Sequence, residues 1–173
     1  MLAALLACVA LSACDGGGEV RTQVPDSIKV TSSAFAPQER IPSRFTCKGR
    51  GISPPLAWTG VPAQSRELAL VVDDPDAPGG TYTHWVLFGL PPSTSSLPEG
   101  SAPKGARQAK NSAGRAAYVG PCPPSGTHHY RFTVYALGAP LELASGAATD
   151  DALTAIGRHA VARGRLVGLF SAD

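Results

Sequence analysis

No run of like charge, no bilayer-length apolar segment and no internal repeat occurs in this 173-residue chain, and each absence closes a class of function. The 15 Lys and Arg residues and 13 Asp and Glu residues are scattered, leaving a net charge of +2 with no basic stripe for a phosphate backbone. Nucleic acid is therefore excluded as a partner. No short pair such as His-x-x-His fixes a metal ligand set, although Asp74, Asp76, His84 and His128 are ligand types that suit a divalent ion. A serine, Ser125, precedes His128 closely, but it sits in a Pro-Pro-Ser-Gly turn without the strand-turn-helix setting of a nucleophile elbow.

What is present is the balance of a folded domain, with 43% apolar and 16% charged residues. The chain length suits one domain with one sizeable core. Proline (16) and glycine (19) are both plentiful, which favours many turns and short strands over long helices.

The N-terminus, MLAALLACVALSACDGGGEV, opens on an apolar stretch from Leu2 to Leu11 that is too short to span a bilayer. It fits the apolar part of a signal peptide followed by small residues. Leu11-Ser12-Ala13-Cys14 resembles a bacterial lipobox, in which cleavage before the cysteine leaves Cys14 to carry lipid; a plain cleaved secretory signal is the alternative. No Lys or Arg precedes the apolar stretch, which leaves an upstream start open. Residues 1–13 are thus expected to be a lipoprotein-type signal peptide. Residues 14–26, with Gly16-Gly17-Gly18, are expected to be a flexible tether, and residues 27–173 the folded domain. The expected location is periplasmic and membrane-anchored through Cys14, with inner and outer membrane both open.

Export places the chain where disulfides persist. Cys8 leaves with the signal and Cys14 is taken by lipid, so Cys47 and Cys122 remain as an even pair and are expected to bridge. A free reactive Cys122 is the alternative, but no flanking basic residue lowers its pKa.

Arg66 to Val72, RELALVV, reads as a strand buried on both faces. Tyr130 to Leu137 alternates, with Phe132, Val134 and Ala136 on one face and Arg131, Thr133 and Tyr135 on the other. His84 to Leu90 is a third strand, ended by Pro91-Pro92. Weaker strands lie near Ser27 and Arg165. One segment reads as a helix, TDDALTAIGRHAVARG, with Leu153, Ile156, Gly157, Ala160 and Val161 on one face, Thr149 as N-cap and Gly164 as stop. The fold class is mainly β, two packed sheets with a peripheral helix near the C-terminus.

Three stretches could carry chemistry. In VVDDPDAPGGTYTHW, Pro75 and Pro78 stiffen a turn, Gly79-Gly80 reverses the chain, and Asp74, Asp76 and His84 flank it. In GPCPPSGTHHYRF, three prolines make a stiff ridge. There His128 and Tyr130 share the parity of Phe132, a polar pair at the mouth of an apolar face. Ser53-Pro54-Pro55-Leu56 and Trp58 read as a loop over apolar surface. Taken singly, the first two stretches are also ordinary turn and core sequences.

Together, SPPLAW, DDPDAPGG followed by HWVLF, GPCPPSGTHHY and FTVYAL resemble the phosphatidylethanolamine-binding protein family in their order and spacing, and specifically its bacterial branch described as Raf kinase inhibitor-like. The resemblance runs from about residue 27 to the end. It implies a two-sheet β-sandwich with peripheral helices and a small pocket for phosphate or a phospholipid head group. By motif match the pocket residues are Asp74, Asp76, Pro78, His84, Gly120, Pro121, His128 and Tyr130. No cofactor is implied and no protein partner is identified. The residue between the paired His and Tyr is usually Arg and here is His129; the helix carries Gly157-Arg158-His159 where the family has a Gly-His pair. An exported chain does not meet cytoplasmic kinases, so kinase inhibition is not expected of it.

Carboxylates beside an anion are repulsive unless they face away from it. The expectation is that Asp74 and Asp76 orient donors, a carboxylate fixing an imidazole tautomer while the other accepts N–H groups of its own loop. His84, His128, Tyr130 and loop N–H groups would then hold the anion, with affinity falling as pH rises. The competing reading is a hydrolase or metal-dependent enzyme using the same Asp/His pocket.

Overall fold

The computed structural model describes residues 23–172. The segment expected to be a signal peptide, Cys14 and most of the expected tether therefore lie outside the described residues. Eight strands and one helix follow in the order β1 (Lys29–Thr31), β2 (Leu56–Thr59), β3 (Glu67–Asp74), β4 (Tyr82–Leu90), β5 (Ser96–Leu97), β6 (Arg107–Ala109), β7 (Thr127–Leu137), α1 (Thr149–His159) and β8 (Ala160–Ser171). Three strands form a small sheet in the order β1-β2-β5, and five form a larger one in the order β6-β4-β3-β7-β8. All their pairings are antiparallel.

The two layers enclose the main core. Ile28, Val30, Leu56 and Trp58 from the small-sheet side meet Leu68, Leu70, Val72, Phe132 and Val134 from the large one. On the outer face of the large sheet, Ala69, Val71, Phe88 and Tyr135 pack against Leu153 and Ile156 of α1. β3 is central in the large sheet and covered on both faces, which is why all eight of its residues are buried and why it carries no alternation. The alternation expected for β7 holds, with Phe132, Val134 and Ala136 facing the inter-sheet core and Tyr135 facing the helix layer.

Three sequence expectations are corrected. The helix ends at His159, where Ala160 is extended (φ −61°, ψ 132°), and residues 160–171 form β8 along the whole of β7. Ala162, Gly164, Leu166, Gly168 and Phe170 point inwards in β8, but two of the five are glycines, so the period of two is nearly invisible in hydropathy. A Cβ on Gly164 would stand 1.8 Å from the Ile28 carbonyl oxygen, so this glycine is a close-approach residue in a strand and not a helix stop. Thr149 is the first helical residue and not the N-cap. Its hydroxyl donates to the Lys110 carbonyl (2.7 Å), and Ala148 flanks the helix without a side-chain cap. The segment expected to be a covering loop at Leu56 to Trp58 is β2, buried at Leu56 and Trp58.

Cys47 and Cys122 are joined in a disulfide with Cα atoms 5.4 Å apart. By loop-closure entropy, a bridge spanning 75 positions contributes about 4 kcal/mol. It ties the proline ridge to the segment after Phe45. The Cys47 N–H also donates to the Pro121 carbonyl (3.0 Å), so the ridge is held there twice.

Candidate ligand-binding site

A cavity of about 280 Å³ opens at the end of the inter-sheet core, where β3, β4 and β7 meet the proline ridge. Asp74, Pro78, His84, Gly120, His128 and Tyr130 all line it, six of the eight residues expected from sequence. Asp76 and Pro121 do not. Asp76 lies two residues past the end of β3 and points outwards. There Oδ2 accepts from the backbone N–H (2.8 Å) and the Nδ1 (2.7 Å) of His129. The His129 backbone N–H above all holds the Asp76 carboxyl below its usual range, its imidazole adding to the effect. Pro121 is buried behind the wall, where its carbonyl takes the Cys47 bond.

Each element aims its side chain for an identifiable reason. Tyr130 and His128 alternate along β7 with the core residue Phe132, and the strand outruns the core at that end. His84 depends on an irregularity. The β3–β4 register pairs Val72 with Trp85 but Asp73 with Thr83, leaving His84 as an extra residue. Parity alone would place His84 with Val86 and Phe88 on the helix-covered face; the bulge turns it to the cavity beside Trp85. Asp73, on the opposite face, forms a two-pronged ion pair with Arg131 (both contacts 2.7 Å), which clamps β3 to β7 directly behind the site. Gly120 has no room for a side chain, because a Cβ there would meet the Phe45 carbonyl oxygen at 2.8 Å.

The polar network is asymmetric. His128 Nδ1 donates to Asp74 Oδ2 (2.7 Å), while Asp74 Oδ1 accepts the Asp76 N–H (2.9 Å). Asp74 thus orients an imidazole and also caps its own turn. His84 Nδ1 donates to the Val119 carbonyl (2.7 Å). Burial holds His84 below the ordinary imidazole pKa, outweighing the opposite pull of the Val119 carbonyl and of the Asp74 charge. His84 was expected from sequence to donate a hydrogen bond to an anion, and its Nδ1 is occupied by Val119 instead. Its one proton in the neutral ring is committed to Val119, and Nε2 carries a lone pair. The Tyr130 hydroxyl is fully buried; the Asp74 carboxylate and the Cys122 backbone N–H lie near it, but neither makes a well-formed hydrogen bond with it. Burial, followed by the Asp74 charge, raises its pKa well above that of free tyrosine, so it stays protonated.

Sequence reasoning missed Ala77, Tyr82, Val119, Cys122, Pro123 and Pro124 as lining residues. The Tyr82 ring lies tilted against His84 with ring centroids 4.8 Å apart, and His84 meets Tyr130 edge-on at 5.3 Å. The proline ridge had been singled out, but which of its residues turn inwards follows from the disulfide and the Gly120 contact, not from local pattern. Among the described residues, no three His, Cys, Asp or Glu side chains converge as a metal site.

Comparisons with known proteins agree with this architecture. Residues 31–171 match the family profile described as phosphatidylethanolamine-binding protein. A protein of Methanothermobacter thermautotrophicus, named only as a UPF0098 protein, is 46% identical over 148 residues, covering 83% of this chain and 98% of its own. LppC of Mycobacterium tuberculosis, by name a candidate lipoprotein, is 43% identical, with 97% of this chain and 93% of its own covered. Among solved structures, CT736 of Chlamydia trachomatis, described as a candidate phosphatidylethanolamine-binding protein homologue, superposes with a TM-score of 0.80 at 37% identity, covering 86% of this chain and 99% of its own. E. coli YbcL, described as a new member of the mammalian family, gives 0.80 at 29% identity, covering 85% and 99%. The order of motifs, the two-sheet sandwich and these matches have one reading: the chain belongs to the phosphatidylethanolamine-binding protein family.

Proposed function

We propose that this chain is an exported, lipid-anchored binding protein whose cavity takes a small phosphoryl group, either free phosphate or a phospholipid head group. The observation that carries the reading is the Tyr130 hydroxyl, a buried group at the cavity wall between two imidazoles that makes no well-formed hydrogen bond with its neighbours Asp74 and Cys122. Leaving such a group unsatisfied costs about 1–3 kcal/mol, a cost that a ligand oxygen would relieve. At about 280 Å³ the cavity lies near the lower end of ordinary ligand sites, roughly 300–1,000 Å³, which suits a head group and not a whole lipid. The lipobox-like Leu11 to Cys14 segment and the lipoprotein name of the LppC relative support the anchor.

A hydrolase would need a nucleophile beside a base. His128 has the orientation of a base, but no protein hydroxyl or thiol is hydrogen-bonded to its Nε2 among the described residues. Binding is the better-supported role. Calorimetry of the oxidised chain with inorganic phosphate and with glycerophosphoethanolamine tests it. Heat that saturates with either ligand and is lost in His128→Ala supports the proposal; no binding of either at millimolar concentration rejects it. The anchor is tested separately by fractionation, where Cys14→Ser should move the protein from the membrane to the soluble fraction.

A further inference from the structure

We infer that the chain carries a second ligand site, in a groove on the outer face of the large sheet at the start of α1, which takes a small zwitterion of the amino-acid type. The inference is independent of the phosphoryl-binding reading, because it concerns another face and other residues.

The groove, of about 550 Å³, is bounded by the turn at residues 79–81, the segment after β6 and the first turn of α1. That volume lies within the roughly 300–1,000 Å³ of ordinary ligand sites. Alternation at the start of β4 separates it from the cavity: Tyr82 and His84 line the cavity, and Thr83 between them lines the groove.

Thr83 marks the groove as a site. It is wholly buried, and its hydroxyl makes no hydrogen bond to any described residue. Buried hydroxyls are ordinarily paired, and leaving one unmade is costly. The Thr83 backbone is fully engaged: its N–H donates to Ser112 Oγ (2.8 Å), and its carbonyl accepts the Ser112 N–H (3.0 Å). Only the hydroxyl is left over, at the floor of the groove.

The start of α1 adds donors. Ala148 at the N-cap has no side chain to cap with, and Thr149 gives its hydroxyl hydrogen to the Lys110 carbonyl (2.7 Å). The N–H groups of Thr149, Asp150 and Asp151 therefore have neither an intrahelical nor a side-chain partner. Across the groove the backbone N–H groups of Lys110, Asn111, Ser112 and Gly114 are spent inside the protein, on the carbonyls of Ala147, Arg115, Thr83 and Asn111. Ser112 Oγ, which accepts from Thr83, keeps its own hydrogen to donate.

Charge decides the ligand. Lys110 and Asp150 both line the groove and are exposed, and neither forms an ion pair with the other or with any other side chain among the described residues. Their backbones are held side by side by the Thr149 hydroxyl bond and by the Lys110 N–H on the Ala147 carbonyl (2.9 Å). A bare oxyanion on the helix N–H groups would meet the Asp150 carboxylate, and a bare cation would meet Lys110 and the positive end of the helix dipole. A zwitterion satisfies both signs. Its carboxylate accepts from Thr83, the α1 N–H groups and Lys110, while its ammonium donates to Asp150.

Amide chemical-shift titrations of the oxidised chain at pH 7 and matched ionic strength test this, with glycine as the zwitterion, acetate as the carboxylate alone and methylammonium as the amine alone. Glycine is expected to give saturable shifts at the Thr83, Thr149, Asp150 and Asp151 amides. Acetate and methylammonium should each bind more weakly by about tenfold or more, since each loses one charged hydrogen-bonded contact. Lys110→Ala and Asp150→Asn, both at exposed positions, should each weaken glycine by a similar factor, and Thr83→Val should weaken it several-fold while folding as the parent does. No saturable shift with glycine at tens of millimolar overturns the inference. Acetate binding as tightly as glycine, or unchanged glycine affinity in Asp150→Asn, overturns it as well. A phosphate titration of Lys110→Ala, read at His128 and Tyr130, is expected to match the parent, so failure of the groove and failure of the phosphoryl reading are told apart.

Discussion

Asp74 Oδ2 and His128 Nδ1 stand 2.7 Å apart across the β3–β7 pairing although 54 positions separate them in sequence. Both side chains are almost wholly buried, so the contact is a low-dielectric, charge-assisted hydrogen bond. It joins the aspartate-proline turn to the strand after the proline ridge, and so it joins two motifs that are uninformative apart. Asp74→Asn keeps the volume but lets the amide present either C=O or NH₂ to the ring, which removes control of the His128 tautomer. Phosphate affinity should fall by about tenfold or more, about 1.4 kcal/mol, with unfolding free energy lower by about 1–3 kcal/mol. Calorimetry and urea titration at pH 7 check both. Unaltered affinity would place Asp74 outside ligand recognition.

Tyr130→Phe separates binding from stability. The hydroxyl is buried and makes no well-formed hydrogen bond with its neighbours Asp74 and Cys122, so deleting it removes a desolvated group at little cost in internal hydrogen bonding. Ligand-free stability should hold or rise, by up to about 1 kcal/mol. Phosphate affinity should fall several-fold at the same time. A variant that is less stable without ligand would show that the hydroxyl has a structural partner.

The parts of this fold that could be read from sequence are those in which one period dominates. β3 has a continuous apolar run because helix and second sheet cover its two faces, and β7 alternates because only its inner face outlasts the core. The site was legible because prolines, glycines and histidines cluster at three places in a fixed order. What stayed hidden depends on tertiary contact. The bulge that turns His84 inwards is a matter of register between strands and leaves no local mark. The outward turn of Asp76 goes with its pairing to His129 across the β3–β7 end, a tertiary contact.

Gly164 gives a sharper case of the same kind, and a prediction. Its neighbourhood was legible as a helix end because glycine stops helices, yet it sits mid-strand with the Ile28 backbone pressed against it. Ile28 N–H donates to the Arg163 carbonyl at 3.1 Å, so the approaching segment is fixed in place and has little freedom to retreat. Gly164→Ala should therefore destabilise the chain by about 3 kcal/mol or more through overpacking. Thermal unfolding reads this directly; a melting temperature within a degree or two of the parent would mean that the Ile28 segment can move aside.

His84 should make stability depend on pH in a defined window. Burial depresses its folded-state pKa below the ordinary value of 6.5, so the native ring refuses a proton that the unfolded ring accepts. The unfolded state then binds more protons between these two values, and stability rises with pH across that interval. The contribution is present above about 6.5 and is lost as pH falls through the depressed folded value. One proton sets the limit at about 1.4 kcal/mol per pH unit. Urea titrations in phosphate-free buffer from pH 7.5 to pH 5 should show unfolding free energy declining below pH 6.5. His84→Gln, which cannot titrate but retains an amide that can meet the Val119 carbonyl, should flatten that part of the profile. An equally steep decline in the variant would assign the effect to other groups and would mean that His84 is protonated as readily in the folded chain as in the unfolded one.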